Sequence, residues 1–295
     1  MRRALTRRVL LLSGAATTLA GCTFKPDRDH NGPDAPLALP LSNVPRTAWV
    51  FSSGGSRGFV HVGVLKALVE LDLSPDFVVG ASVGALVGCL YAAGLSAREI
   101  ETLALNLKPM MLARLAWGQQ EKFSGTAIAE LVRKRAPQAR LERMPHAMAC
   151  VAARQRDGAA VAFTAGDAGL AVQAACAIEE VFVPVRIRGE RYVDADWTTP
   201  LPVRQARKLG ARRVLAIDAT AHLDHTPPGA ERYRESDLRK KILVDADASE
   251  ADLVLKPDFG YWAGESREYR ERVIDAGYRQ TLAQASALRT LHAAA

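Results

Sequence analysis

The sequence predicts an α/β domain of three layers, α/β/α, around a mostly parallel central sheet. Three observations carry that expectation. Two short apolar runs, at 47–51 and 77–79, are separated by one segment of helical periodicity. Strands joined through a single helix run parallel and cross over right-handed. Each run also stops at a glycine-rich loop, Ser53-Gly54-Gly55-Ser56-Arg57-Gly58 and Gly80-Ala81-Ser82-Val83-Gly84. Both loops then open at the carboxyl ends of neighbouring strands, the edge where open α/β sheets bind ligands.

The elements follow in order. Thr47-Ala48-Trp49-Val50-Phe51 is apolar and β-prone, as a buried strand is. Val60, Val64, Ala67, Leu68 and Leu71 fall on one face of a helix that Ser74-Pro75 ends. Phe77-Val78-Val79 is a second buried strand, and the helix after it lasts to about Ala93, with Gly94 as its C-cap. Further helices are expected at 96–107, 125–135, 168–177, 200–209 and 266–292, and strands near 147–152, 159–164, 213–218 and 252–256. Residues 221–250 are charged and contain prolines, and read as a long excursion able to flank a site.

The first residues read as an address. Met1 to Arg8 is basic, Val9 to Leu12 is apolar, and a small-residue run ends in Leu19-Ala20-Gly21-Cys22. That is a charged start, a short apolar middle and a cleavage site, and it is too short to span a membrane well. The ending resembles the bacterial lipoprotein signal, which implies cleavage before Cys22 and lipid on its thiol. Thr6-Arg7-Arg8-Val9-Leu10 also resembles a twin-arginine export motif. Residues 23–46 hold five prolines and are expected to form an extended, poorly ordered tether. The expected organisation is a signal peptide at 1–21, lipidated Cys22 and tether over 22–46, and one domain over 47–295. Several acyl chains on one cysteine anchor stably. By the same resemblance the site is the bacterial cell envelope, facing the periplasm, and Thr23 favours the outer membrane.

Charge sets further bounds. The chain of 295 residues carries a formal +7. Four of those charges are Arg2, Arg3, Arg7 and Arg8, so the remainder is only mildly basic. That bias suits an anionic membrane surface and is not the footprint of a nucleic-acid binder. Arg133-Lys134-Arg135 and Arg239-Lys240-Lys241 lack interleaved aromatics and read as solvated helix faces. Cys89, Cys150 and Cys176 have no paired spacing and read as buried thiols. No ligand cluster implies a metal or organic cofactor.

The second loop is G-x-S-x-G. Its glycines permit a sharp strand-to-helix turn that exposes Ser82 at a helix N-terminus; the bland reading is a tight turn with a capping serine. The first loop is not spaced as a dinucleotide or P-loop motif. Its backbone N–H groups around Gly54, Gly55 and Ser56, with Arg57 and Gly58, suit an oxyanion hole. Arg57 orients the loop or meets an anionic headgroup. None of the histidines at 30, 61, 146, 222, 225 and 292 has a persuasive catalytic context. Asp194, in Tyr192-Val193-Asp194-Ala195-Asp196, does.

Ser53 to Gly94 resembles the opening of bacterial patatin-like phospholipases, and the likeness continues through Ala174 to Val185, Tyr192 to Val203, the 213–218 strand and Gly277-Tyr278. The resemblance implies a lipid acyl-ester hydrolase of phospholipase A, lysophospholipase or esterase type. Ser82 would be its nucleophile and Asp194 its base, with phospholipid or another acyl ester as substrate. Two departures bear on that. The family's Asp-Gly-Gly or Asp-Gly-Ala is here Asp194-Ala195-Asp196. If the family glycine has positive φ, Ala195 is strained, and Asp196 brings a carboxylate that competes as base or raises its neighbour's pKa. The family's Ser-x-Ala-x-Pro-Gly is here Ala175-Cys176-Ala177-Ile178-Glu179-Glu180. Two alternatives stay open: a Ser-Asp-His esterase using His222 or His225, and a catalytically silent lipid-binding lipoprotein.

Overall fold

Alternate residues of a strand point to opposite faces of its sheet, and the core is divided accordingly. In β1 (Thr47–Phe51), Trp49 and Phe51 belong to one apolar cluster, Ala48 and Val50 to another, and the whole strand is buried. The computed structural model describes residues 28–293, so the signal segment 1–21 and Cys22 lie outside the described residues.

A single 3₁₀ turn, Gly55–Gly58, follows β1 and runs into α1 (Phe59–Glu70). Then come β2 (Phe77–Ala81), α2 (Val83–Ala92) and α3 (Ala97–Asn106). A short hairpin, β3 (Arg114–Leu115) and β4 (Phe123–Ser124), precedes α4 (Thr126–Arg135). The chain continues as β5 (Ala147–Arg154), β6 (Ala160–Phe163), α5 (Ala168–Ala175), β7 (Val185–Ile187) and β8 (Glu190–Asp194). It closes with α6 (Val203–Lys208), β9 (Arg213–Ile217), α7 (Arg234–Ala248), β10 (Leu253–Leu255), α8 (Arg267–Leu282) and α9 (Ala285–Ala293).

The main sheet has the order β10-β9-β1-β2-β5-β8-β7, with β6 also paired to β5. The five strands from β10 to β5 are mutually parallel; β6 and β8 pair antiparallel with β5, and β7 pairs antiparallel with β8. One face is covered by α1, α2, α5 and α9, whose Leu65, Leu68, Leu86, Val172 and Leu288 join Trp49 and Phe51. The other is covered by α6 and α7, with Val203, Ala206 and Val244 against Val50 and Val79. The three-layer α/β/α arrangement is therefore present.

Register brings the two halves of the site together. Phe51 pairs with Gly80, so both glycine loops leave the sheet side by side. Ala81 pairs with Val151, which puts Ser82 level with Ala152. Beyond Val151 the same edge of β5 is taken over by β8, where Ala152 pairs with Asp194, while β6 occupies the opposite edge. The end of β2 and the end of β8 thus meet on one edge of β5, which brings Ser82 and Asp194 together although they are far apart in sequence.

Several expectations are revised. The predicted helix 266–292 is two helices, because Ala283 and Gln284 turn the chain and let Leu288 and Leu291 bury. The helix predicted at 200–209 begins only at Val203, after Pro200 and Pro202. The excursion 221–250 contains α7, of which only Val244 and Asp247 are buried; a helix so largely solvated shows little apolar periodicity. From residue 28 the proline-rich stretch does not hang loose. Its backbone is hydrogen-bonded to the domain through His30 N–H to Arg186 O (2.9 Å), Leu37 N–H to Ala165 O (3.0 Å) and Asp167 N–H to Asp34 O (2.8 Å). These are main-chain bonds, which leave little mark on side-chain composition.

Candidate active site

β2 ends at Ala81 and α2 begins at Val83, so Ser82 alone makes the turn between them. Its φ of 53° lies in the left-handed region, a strained conformation for serine. The flanking glycines are required by contact. A Cβ on Gly80 would stand 2.4 Å from Gly84 O, and one on Gly84 would stand 2.4 Å from Phe51 O. G-x-S-x-G here is the sequence of a turn pressed against β1.

Ser82 Oγ donates a hydrogen bond to Asp194 Oδ2 at 2.5 Å, and both residues are buried. Asp194 Oδ1 accepts the backbone N–H of Asp196 at 2.9 Å, and Asp194 N–H donates to Ala177 O at 2.8 Å. The carboxyl is therefore held from both sides. Burial pushes its pKa up from the ordinary 3.8 to about 7, and the neighbouring Asp196 charge adds to that rise. The Ser82 hydroxyl, the Asp196 N–H and Lys240 act in the opposite direction.

The altered turn is not strained. Ala195–Trp197 is a 3₁₀ turn, and Ala195 is absent from the described residues of positive φ. Nor does Asp196 reach Ser82. Its Oδ1 accepts Ser53 Oγ–H and its Oδ2 accepts Lys240 Nζ at 2.5 Å. Lys240 also sits over the Trp197 ring, 5.0 Å from its centre. The solvated reading of 239–241 therefore fails at Lys240, which turns inward to meet a charge. It holds at its neighbours, since Arg239 pairs with Glu235 and Lys241 with Asp245 at the surface. The Ser53–Asp196–Lys240 bridge has no sequence signal, because its partners come from a loop, a turn and a distant helix.

Of the first loop, Gly55, Ser56 and Gly58 line the same cavity as Ser82. The amides of Gly55 and Ser56 head the 3₁₀ turn, where no carbonyl within the turn can accept from them. Gly54 closes the turn by accepting Arg57 N–H at 3.1 Å. Arg57 itself faces away from the cavity: Nε and Nη2 donate to Tyr261 O at 3.2 and 3.1 Å. Of its two anticipated roles, the geometry supports orienting the loop. Gly58 permits close packing, since a Cβ there would stand 2.3 Å from Val83 Cγ1.

The histidines lie elsewhere. His61 is buried beneath the loop, bonded to Ser52 O at 2.9 Å, and burial holds its pKa down at about 4, so it is neutral at neutral pH. His222 meets Pro257 O at 3.1 Å. Among the described residues no histidine lines the cavity. Cys89, Cys150 and Cys176 are free and buried, and Cys176 Sγ donates to Ser82 O at 3.1 Å. Among the described residues no three His, Cys, Asp or Glu gather as a metal site.

The cavity has a volume of about 310 Å³. Its walls are apolar side chains of α1, α2, α3 and α4, among them Val62, Leu86, Leu90, Leu103 and Leu131, with Phe182 beyond α5. Among the described residues Glu265 is the one charged side chain in the lining. A strained serine, a buried carboxyl and a helical turn with free amides meet at one apolar cavity.

Residues 49–207 match the patatin-like phospholipase family. The chain belongs to that family. The span matched to the patatin-like phospholipases contains both glycine loops and Asp194. Over 214 residues the chain is 30% identical to an uncharacterized NTE family protein of Mycobacterium tuberculosis, covering 71% of this chain and 58% of that one. Over 184 residues it is 26% identical to lysophospholipase NTE1 of Eremothecium gossypii, covering 60% of this chain and 12% of that one. The chain thus spans under two thirds of the length of these relatives. VipD from Legionella pneumophila, a solved structure, aligns over 84% of this chain and 68% of its own at 13% identity, with a TM-score of 0.49.

Proposed function

We propose that the protein is a serine acyl-ester hydrolase acting on lipids, of phospholipase A or lysophospholipase type. Ser82 is its nucleophile and Asp194 its base. The observation that carries the reading is the 2.5 Å hydrogen bond from Ser82 Oγ to a buried carboxyl, at the wall of an apolar cavity. Ser82 Oγ attacks the acyl carbonyl carbon while Asp194 takes the hydroxyl proton. The carbonyl oxygen becomes an oxyanion facing the amides of Gly55 and Ser56. Asp194 returns the proton to the departing alcohol, then accepts one from the water that attacks the acyl-enzyme and passes it to Ser82 Oγ as the fatty acid leaves. The cavity accommodates the acyl chain, and a relative named as a lysophospholipase is in keeping with such a substrate. A Ser-Asp-His esterase finds no histidine among the described residues of the cavity lining to support it.

Treatment of the full chain with a fluorophosphonate is the direct test. The expected adduct is on Ser82, located by peptide mass, with parallel hydrolysis of a short-chain ester and a lysophospholipid. No adduct and no turnover would favour the silent lipid-binding alternative.

Lipid attachment at Cys22 belongs to the same proposal, with the bacterial envelope as its place. Metabolic labelling with a radioactive fatty acid is expected to mark the wild-type chain and not Cys22→Ser. Equal labelling of both would remove the anchor from that residue.

A further inference from the structure

Six of the exposed large apolar side chains lie on one rim of the molecule. Met110 is 66% exposed, Met111 63%, Leu115 61% and Trp117 86%, all within one short stretch. Ile178 and Val181 are exposed beside them. The β3–β4 hairpin joins the two groups: Phe123 N–H donates to Val181 O at 3.2 Å, and Val183 N–H to Phe123 O at 2.8 Å. Large apolar side chains gathered in this way mark a contact surface.

Two observations say what it meets. The first is continuity with the cavity. Leu112 and Ile178 belong both to this rim and to the wall of the cavity that holds Ser82. Ile178 is 41% exposed, so the apolar wall passes onto the outer surface. The second is where the chain leads. His30 bridges Ile187 in the parallel sense, bonded through Arg186 O and Arg188 N–H. Going back from His30 to Arg28 therefore follows β7 back toward Val185, and so toward Val183 and the rim. Residues 23–27 separate Arg28 from Cys22, a distance of at most about 20 Å even when fully extended. An acyl group on Cys22 would hold this same side of the molecule against a bilayer.

We infer that the rim formed by residues 110–117 with Ile178 and Val181 is a membrane-contact surface, whose Trp117 tip enters the lipid interface and sets the cavity mouth against it. The inference rests on the lipid-hydrolase reading and on the Cys22 anchor. Tryptophan suits the place, with an apolar body and a polar N–H at the wet boundary. The ionic groups nearby are mixed in sign: Lys108, Arg114 and Lys122 against Glu121, Glu130, Glu179 and Glu180. The contact is therefore one of apolar insertion, with little dependence on salt.

The test uses the full chain on phosphatidylcholine vesicles, comparing wild type with the double variant Leu115→Ser, Trp117→Ser. Neither residue lines the cavity. Both proteins keep the same N-terminus, so a difference reports the rim. The variant is expected to hydrolyse a soluble p-nitrophenyl ester at the wild-type rate, yet to lose roughly tenfold or more on vesicles. Tryptophan fluorescence of wild type, and not of the variant, is expected to be quenched by bromine-labelled acyl chains. Equal vesicle rates with equal quenching in the two proteins would overturn the surface. If neither substrate is hydrolysed by wild type, the hydrolase reading fails, and the quenching comparison still decides the surface.

Discussion

Replacing Asp194 by asparagine is expected to lower kcat/KM for ester hydrolysis by about 10²–10⁴-fold, the usual worth of a positioned general base. The substitution is well suited to the question. An asparagine keeps the shape, and its oxygen can accept from either Ser82 Oγ–H or Asp196 N–H, the two bonds that hold the carboxyl now. What it cannot do is take the proton. In the wild type the base must be ionised, and its pKa is about 7. Activity is therefore expected to rise through neutrality, with an acid limb near 7 rather than near the ordinary aspartate value. A limb near 4, or an active Asp194→Asn protein, would show that the proton goes elsewhere.

The same shift bears on stability, in the opposite direction from activity. In the unfolded chain the carboxyl ionises near 3.8; in the fold it ionises near 7. Between those values the native state holds a proton that the unfolded state has released. The group's contribution to stability thus falls as pH rises from about 4 to about 7, and stays lost above that. Asparagine brings no charge into the interior. Asp194→Asn is therefore expected to melt above wild type at pH 8, with the gap shrinking toward pH 4. A strained serine and a destabilising carboxyl at one place are what a site exchanging stability for activity contains.

Much of this site was legible in the sequence because its constraints are local. Gly80 and Gly84 are fixed by backbone contacts within a single turn, so the motif and its shape travel together. Trp49 to Phe51 and Phe77 to Val79 announce buried strands because both faces of the sheet are covered. The pairing of Ser82 with Asp194 was legible only through family resemblance, since it depends on β2 and β8 meeting end to end along one edge of β5. What stayed hidden depends on tertiary placement alone. Lys240 sits in a run of like charges, and nothing in that run distinguishes the one that turns inward. Trp117 and Leu115 look like ordinary apolar residues until the hairpin puts them outside. The 28–41 strap is held by main-chain bonds, while its prolines suggested looseness.

Lys240 and Asp196 make the sharpest electrostatic test of the site, because removing either charge is expected to move the acid limb in opposite directions. Asp196 raises the Asp194 pKa and Lys240 lowers it. Asp196→Asn removes the raising charge. Its side-chain oxygen still accepts from Ser53 Oγ–H, and its backbone N–H still serves Asp194, so the limb is expected to fall below pH 7 with the architecture kept. Lys240→Met keeps an apolar stem over the Trp197 ring and removes the compensating cation. The limb is then expected to rise above 7, which at neutral pH leaves less of the enzyme with an ionised base. Each unit of displacement changes the ionised fraction on the acid side about tenfold. The double variant is expected to lie between the two single ones, since it has lost both opposing charges. Shifts of the same sign in both single variants would mean that the bridge acts by holding the Ser53 loop rather than by its charge. No shift in either would mean that Asp194 titrates under the control of burial alone.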